Sequence, residues 1–441
     1  MPDYFIDSHC HLFNIEDIPL YATIANVKNL PNPLLAAGAL ISAHRSVLNK
    51  RSLFLDFFDN RRKENAQNLV NEIQEAAKFH PVVKGRKIIL TPLVMDFDKI
   101  GDKEHYSHEN VFYQTRRLRE EVIEAGLDNK ALILIFAGLD LRKLDGNVDV
   151  QAFLNGYFRE AGGLKPISER KNPAELSNGD IVGIKLYPPI GFNPFSDTSA
   201  NEIDPARKTF YEYCIQKRLP ITVHCQSGSY HGFDVNKKII NKNAHPTNWE
   251  RVMKAIDGDK LKINFAHFGG EEELRATVLP VPSQTELGDF RPLKKFKKGS
   301  WVLSILTMLK TYEQTYADIS AFDYSNKAAV MALAWLFVLD EVGDLDGRLG
   351  IGPSPCKLKD KLIWGSDMPM IYGKPKGLLK ETGHVEVYGA YLESFTKAMQ
   401  IAKIKARPFP NPAKYHPDNI PDPVDLIDRL TNKNPYKFLF G

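Results

Sequence analysis

The chain has 441 residues, of which 43% are apolar and 25% charged, and it carries a formal net charge of +4. That composition is ordinary for a globular protein, and so small a charge excess gives no reason to expect a nucleic acid or a membrane surface as partner. The four cysteines, Cys10, Cys214, Cys225 and Cys356, share no CxxC spacing and are too sparse for a disulfide framework, which fits a reducing compartment. No basic-then-apolar signal pattern opens the chain. The longest apolar stretch, "AAVMALAWLFVL" at 328–339, is too short to span a bilayer and reads as a buried helix. The expectation is a cytoplasmic protein.

In chain order, a buried strand is predicted first at "YFID", 4–7. A long segment from about 12 to 86 follows, with a helical pattern in "NAQNLVNEIQEAAKFH" at 65–80. Strands are then predicted at "KIILTPLVM" (87–95), "ALILIFAGL" (131–139), "IVGIKLY" (181–187), "ITVHC" (221–225), "KINFAHFG" (262–269), "TYADIS" (315–320) and "LIWGSD" (362–367). Helical patterns separate most of them: 113–126, 206–218, 249–258, 300–310 and 328–342. Eight apolar strands alternating with helices predict a parallel α/β sheet, closed as a (β/α)8 TIM barrel. A doubly wound open sheet is the alternative, but it usually carries a Gly-rich phosphate turn after an early strand, and none is present.

The chain exceeds what a bare barrel needs. We expect one domain over 1–441, with insertions at about 12–86 (after strand 1) and 271–299 (after strand 6), and a C-terminal extension over about 373–441. The Pro-rich stretch 407–424 is expected to run extended over the surface. "LLAAGALISAH" at 34–44 and "SLFLDFF" at 52–58 are apolar enough for a lid or a homodimer contact.

Active sites of such barrels lie at the C-terminal ends of the strands. In "FIDSHCHLFN" (5–14), His9 and His11 leave the end of strand 1, two residues apart and therefore on one face. Lys185 lies on strand 4, His224 on strand 5, His267 on strand 6 before Gly269 and Gly270, and Asp367 at the tip of strand 8 before Pro369. Each histidine alone is as well explained by a core or loop role, and the alternative for Asp367 is a helix N-cap after strand 8. Together, three histidines and an aspartate supply a full ligand set for zinc or another borderline divalent ion.

That set resembles the amidohydrolase superfamily of metal-dependent TIM barrels, and "AGLDLR" (137–142), "GIKLYPP" (183–189), "GSDMP" (365–369) and the closing "NPYKFLF" (434–440) resemble its amidohydrolase-2 branch. The branch mixes hydrolases with non-oxidative decarboxylases of the aminocarboxymuconate-semialdehyde type. The resemblance implies one divalent metal, zinc with manganese as the alternative, held by His9, His11, His224 and Asp367. It also implies that Asp367 accepts a proton from a metal-bound water. His267 is placed to polarise a substrate carbonyl or hold that water. Lys185 has three readings: carbamylated and bridging a second metal, a free ammonium for a substrate carboxylate, or a structural ion pair.

Around this set, Tyr187, Ser227, Tyr230, His231 and Arg142 are candidate substrate contacts, Arg142 with the alternative of pairing with Asp140. Cys10 and Cys225 neighbour proposed ligands and should be turned away from the site as packing residues. The leading expectation is a hydrolase that turns a metal-activated water on a carbonyl, amide or lactone of a small anionic substrate. A decarboxylase in the same scaffold is the alternative, and a non-catalytic metal-binding barrel the third reading.

Overall fold

The structure is a computed structural model. It describes residues 3–14, 17, 57, 59–98, 110–146, 148–164, 172–199, 201–227, 237–279, 292–293, 295–324, 326–373, 387–405 and 415–441. Of the expectations above, 34–44, most of 52–58, Tyr230 and His231 lie outside these residues.

Eight strand positions are occupied: β1 (Tyr4–Cys10), β2 (Lys87–Pro92), β3 (in two parts, Ala131–Ile133 and Ile135–Leu139), β4 (Ile181–Leu186), β5 (Ile221–Gln226), β6 (Ile263–Gly269), β7 (Thr315–Asp318) and β8 (Leu362–Ile363). All neighbours pair in parallel and in chain order. The ladder is interrupted at Leu134, but backbone bonds cross that seam: Leu134 N donates to Leu90 O at 2.9 Å and Val94 N to Phe136 O at 2.9 Å. The first and last strands also meet. Ser8 N donates to Trp364 O (3.1 Å), Asp367 N to His9 O (2.7 Å) and His11 N to Met368 O (2.8 Å). The sheet is therefore a closed (β/α)8 barrel, as the strand count predicts. The last two strands are shorter than the apolar runs that mark them.

The helices that matter for the site are α1 (Arg62–Ala76), α2 (Val111–Glu124), α3 (Lys327–Glu341), α4 (Val387–Lys405), α5 (Pro423–Asp428) and α6 (Asn434–Phe440). α3 is buried along its whole length from Ala329 to Asp340, which explains why its sequence is apolar on every face. It packs between the barrel's outer helices, with α4 beside it. The Pro-rich stretch departs from expectation in its described part. Pro423 is the first helical residue of α5, and Asp422 caps it by accepting from Val424 N at 2.9 Å and Asp425 N at 3.3 Å. Proline's fixed φ and missing N–H suit that position, so the same residue that argues for extended chain starts a helix here.

The barrel interior is a separate apolar cluster of Ile6, Ile89, Leu134, Phe136, Val182, Tyr316 and Ile363. Its N-terminal end is stoppered by α6: Phe438 lies 5.3 Å from the Tyr316 ring and 6.3 Å from the Phe136 ring, and Tyr436 stacks on Tyr4 at 5.9 Å. Lys262 and Arg218 hold the helix end by donating to backbone carbonyls of 437–441. With the bottom sealed, the polar residues of the strands collect at the opposite mouth.

Three one-residue bulges set which side chains enter that mouth. β1 has an extra residue between Asp7 and Cys10 relative to β2, β4 has one between Ile181 and Gly183 relative to β3, and β6 has one between Ala266 and Gly269 relative to β5. A bulge shifts the in–out alternation by one. Without the first, a strand that points Ile6 inward would point His9 outward.

If α6 is the stopper, Phe438→Ala opens a void under the barrel and should cost about 3–5 kcal/mol. Denaturant unfolding of the two proteins measures this, and a loss below about 1 kcal/mol would show that the helix does not seal the core.

Candidate metal centre

The bulge in β1 turns the shared face of His9 and His11 toward the mouth, their rings 5.4 Å apart, while Cys10 is fully buried in the core. Cys225 is likewise a fully buried core residue. Each histidine has its Nδ1 engaged away from the mouth. His9 Nδ1 lies 3.0 Å from Asp318 Oδ2, and His11 Nδ1 lies 2.8 Å from Leu93 O. A carboxylate and a carbonyl can only accept, so both rings carry their proton on Nδ1 when neutral. Both Nε2 atoms then hold a bare lone pair. His9 Nε2 lies 3.2 Å and His11 Nε2 3.3 Å from the same atom, Asp367 Oδ1. His9 Nε2 is buried and makes no hydrogen bond there.

Three electron-rich atoms thus crowd together with no donor between them. A cation resolves the repulsion. Ligand atoms on a tetrahedral ion stand about 3.4 Å apart when each is 2.0–2.1 Å from it, which matches the observed spacings. A proton is the other remedy. Burial alone would depress His9, but Asp318 beside it overrides this and lifts its pKa to about 8. The residues therefore fit a divalent ion, and among the described residues His9, His267 and Asp367 each offer an atom within 4.8 Å of the others.

His267 belongs to the tightest trio, although sequence reasoning set it beside the metal. His224 stands one ring further out, its Nδ1 3.1 Å from His267 Nε2, with Tyr187 4.6 Å away on its other side. The Ser320 hydroxyl donates to Asp318 Oδ1, leaving its oxygen to accept from His267 Nδ1 at 2.9 Å. By that logic His267 also presents a lone pair at Nε2. Burial holds His267 near 4, and burial with the neighbouring His267 holds His224 well below the usual imidazole range; burial also lowers His11. These rings are neutral, the form in which imidazole binds metals.

The carboxylates behave oppositely. Burial would raise both, yet the adjacent His11 and His9 rings, when a proton rather than a cation sits between them and the carboxylate, hold Asp367 well below the usual range, and His9 does the same for Asp318. Asp318 also accepts from Asn264 Nδ2 (2.8 Å) and His267 N (2.9 Å). Strand-end backbones are bent to achieve this. His267 (φ 64°), Phe268 (φ 45°), Ala321 (φ 58°) and Asp367 (φ 54°) are all left-handed without being glycine. Such positions cost roughly 1–3 kcal/mol each and cluster where geometry serves function. Gly365 is required for contact rather than conformation: a Cβ there would lie 2.3 Å from His9 Cβ.

Lys185 is 2% exposed and makes no hydrogen bond or ion pair among the described residues, so the structural ion pair is not formed. Burial lowers its pKa to about 8, despite the pull of Asp318 and Asp367. Arg142 takes the alternative expected of it and pairs with Asp140, Nη2 to Oδ2 at 2.6 Å. Tyr187 is buried against His224 and Phe97, and Ser227 is exposed at the end of β5. Sequence reasoning missed Asp318 as the partner of His9. Its signal was an aspartate in "TYADIS", in register with Tyr316 and Ser320 and close to the strand's C-terminal end.

No family model and no curated protein matches the chain. Among solved structures it is similar to 5-carboxyvanillate decarboxylase from Novosphingobium aromaticivorans complexed with manganese and a nitrobenzoic acid (11% identity, 99% of this chain and 96% of that one, TM-score 0.45). It is also similar to a probable 2-pyrone-4,6-dicarboxylic acid hydrolase from Acinetobacter baumannii with citric acid bound (12%, 99% and 99%, 0.43) and to dihydroorotase from Campylobacter jejuni (16%, 79% and 74%, 0.34).

If Asp318 fixes the His9 tautomer, Asp318→Asn should weaken zinc or manganese binding about 10- to 100-fold while the chain stays folded. Calorimetric titration checks this, and an unchanged affinity would remove Asp318 from the centre. Gly365→Ala should weaken binding too, because its methyl group displaces His9.

Proposed function

We propose that this barrel is a metal-dependent hydrolase of the amidohydrolase type, acting on the carbonyl, amide or lactone group of a small anionic substrate. One observation carries the reading: two histidines, each held in the Nδ1–H form, aim their lone pairs at one carboxylate oxygen in a buried barrel mouth. His9, His11 and Asp367 would hold one divalent ion, zinc with manganese as the alternative, with His224 or His267 completing the set. The bound ion supplies a Lewis acid and a water acidified toward neutrality.

The chain's own groups divide the remaining work. Asp367 accepts the proton released from water, since its ionised carboxylate faces the Nε2 atoms of His9 and His11. His267 is neutral and hydrogen-bonded at Nδ1, so its Nε2 can accept a hydrogen bond or hold water in place. Lys185 brings a positive side chain to the mouth, and an ammonium without a partner among the described residues favours a carboxylate-bearing substrate. Tyr187 closes one wall. Tyr230, His231 and Ser227 remain candidates for the loop after β5.

Decarboxylation is the second reading, favoured by the same unpaired Lys185, which suits a carboxylate that is to leave. The lowered pKa of Lys185 also leaves a share of neutral amine near neutrality, the form that carbamylation needs to bridge a second metal. Four free cysteines accord with a reducing, cytoplasmic setting. No described helix is long and apolar enough to cross a membrane. A homodimer is part of the proposal only through 34–44 and 52–58.

Elemental analysis of chelator-free protein is the first test. About one zinc or manganese per chain supports the single site and a free Lys185, whereas about two support the carbamylated bridge. No metal, and none taken up on addition, would refute the reading. Once a substrate is found, Asp367→Asn should lower kcat by about 100-fold or more with the fold intact.

A further inference from the structure

We infer that Asp7 is a positioning residue that locks the two ligand-bearing strand ends of the metal centre to each other, with Tyr388 of α4 holding it in place. This rests on the metal-centre reading above. The carboxylate of Asp7 is fully buried and spans a seam where no regular ladder runs. Its Oδ1 accepts from His9 N at 3.2 Å and from Ser366 N at 3.0 Å. One of these amides belongs to the β1 bulge that turns His9 and His11 inward. The other lies one residue before Asp367. Oδ2 accepts from the Tyr388 hydroxyl at 3.0 Å.

The bulge and the β8 turn need such a partner. A bulge leaves backbone donors out of the ladder, and a buried amide without an acceptor costs about 1–3 kcal/mol. Asp7 supplies one acceptor atom for two such amides from opposite sides of the seam. Because each ligand is within two residues of a bonded amide, loss of this atom frees His9 and Asp367 to move relative to each other. Their separation is what a metal senses.

Tyr388 fixes the carboxylate from behind. It is fully buried near the start of α4, its ring 6.2 Å from Phe5 and its backbone N 3.2 Å from Glu72 Oε2 of α1. The lock therefore joins β1, the β8 turn and two outer helices. Asp7 touches neither substrate nor metal, and its effect is carried by the ligands it spaces.

The test compares wild type, Asp7→Ala, Asp7→Asn and Tyr388→Phe, each loaded with Co²⁺ as a spectroscopic probe. Zinc affinity is measured by competition, and apo-protein melting is recorded alongside. Asp7→Ala should weaken zinc binding about 10-fold or more and alter the Co²⁺ visible spectrum. Asp7→Asn keeps an acceptor for both amides and should restore affinity to within about threefold. Tyr388→Phe, which serves if Asp7→Ala does not fold, should shift the Co²⁺ spectrum and weaken binding by a smaller factor. If Asp7→Ala melts lower but binds zinc and Co²⁺ like wild type, Asp7 is merely structural and the inference fails alone. An unchanged spectrum and affinity in Tyr388→Phe refutes the part given to α4. If wild type binds neither ion, the metal-centre reading fails and takes this inference with it.

Discussion

The bond between the Asp318 carboxylate and His9 Nδ1, 3.0 Å long and buried at both ends, governs the chemistry of the mouth. Were the proton on Nε2 instead, His9 would donate to Asp367 and the two would form an ordinary hydrogen bond. Asp318 prevents this, because its ionised carboxylate can only accept and its Oδ2 faces Nδ1. Leu93 O acts in the same way on His11. Two rings so constrained, facing one oxygen, are stable only with a cation between them or with an extra proton. The folded chain stores this need in its hydrogen bonds before any ligand arrives.

Strain and packing are arranged around that requirement. The left-handed His267 and Asp367 lie at the ends of β6 and β8, where the backbone must turn a side chain inward over a short distance. Each is held from the side: His267 by its amide on Asp318, Asp367 by its amide on His9 O. The closed barrel makes this affordable, since its sealed floor under α6 leaves the polar strand ends no other outlet.

Much of this was legible in the sequence. Apolar runs with helical patterns between them gave eight strands, and polar residues at their C-terminal ends gave His9, His11, Lys185, His224, His267 and Asp367, all of which converge on the mouth. What periodicity cannot carry is a bulge. An inserted residue reverses the alternation downstream, so the inward set of β4 and β6 could not be read from parity alone. Asp7 and Asp318 were hidden for a related reason. Their partners, Ser366 and His9 respectively, are hundreds of residues distant, and no local pattern distinguishes a positioning carboxylate from an end-of-strand polar residue. The helix at Pro423 escaped because proline signals both extended chain and a helix start, and the Asp422 cap decides between them.

Charge in the mouth then bears on the proposed substrate. Once His9 gives up its extra proton to bind a metal, the four imidazoles are neutral and the buried ionised groups are Asp318, Asp367 and Lys185, which together leave one negative charge. In a dry site this excess is costly. A divalent cation reverses its sign and leaves one positive charge, which an anion such as hydroxide or a single substrate carboxylate neutralises. A neutral substrate would leave that charge uncompensated unless water supplied hydroxide. A dianion would need a further cation, and Arg142, committed to Asp140, is not free to provide it. The electrostatics therefore favour a monocarboxylate, or a neutral carbonyl attacked by hydroxide, over a substrate carrying two carboxylates into the mouth.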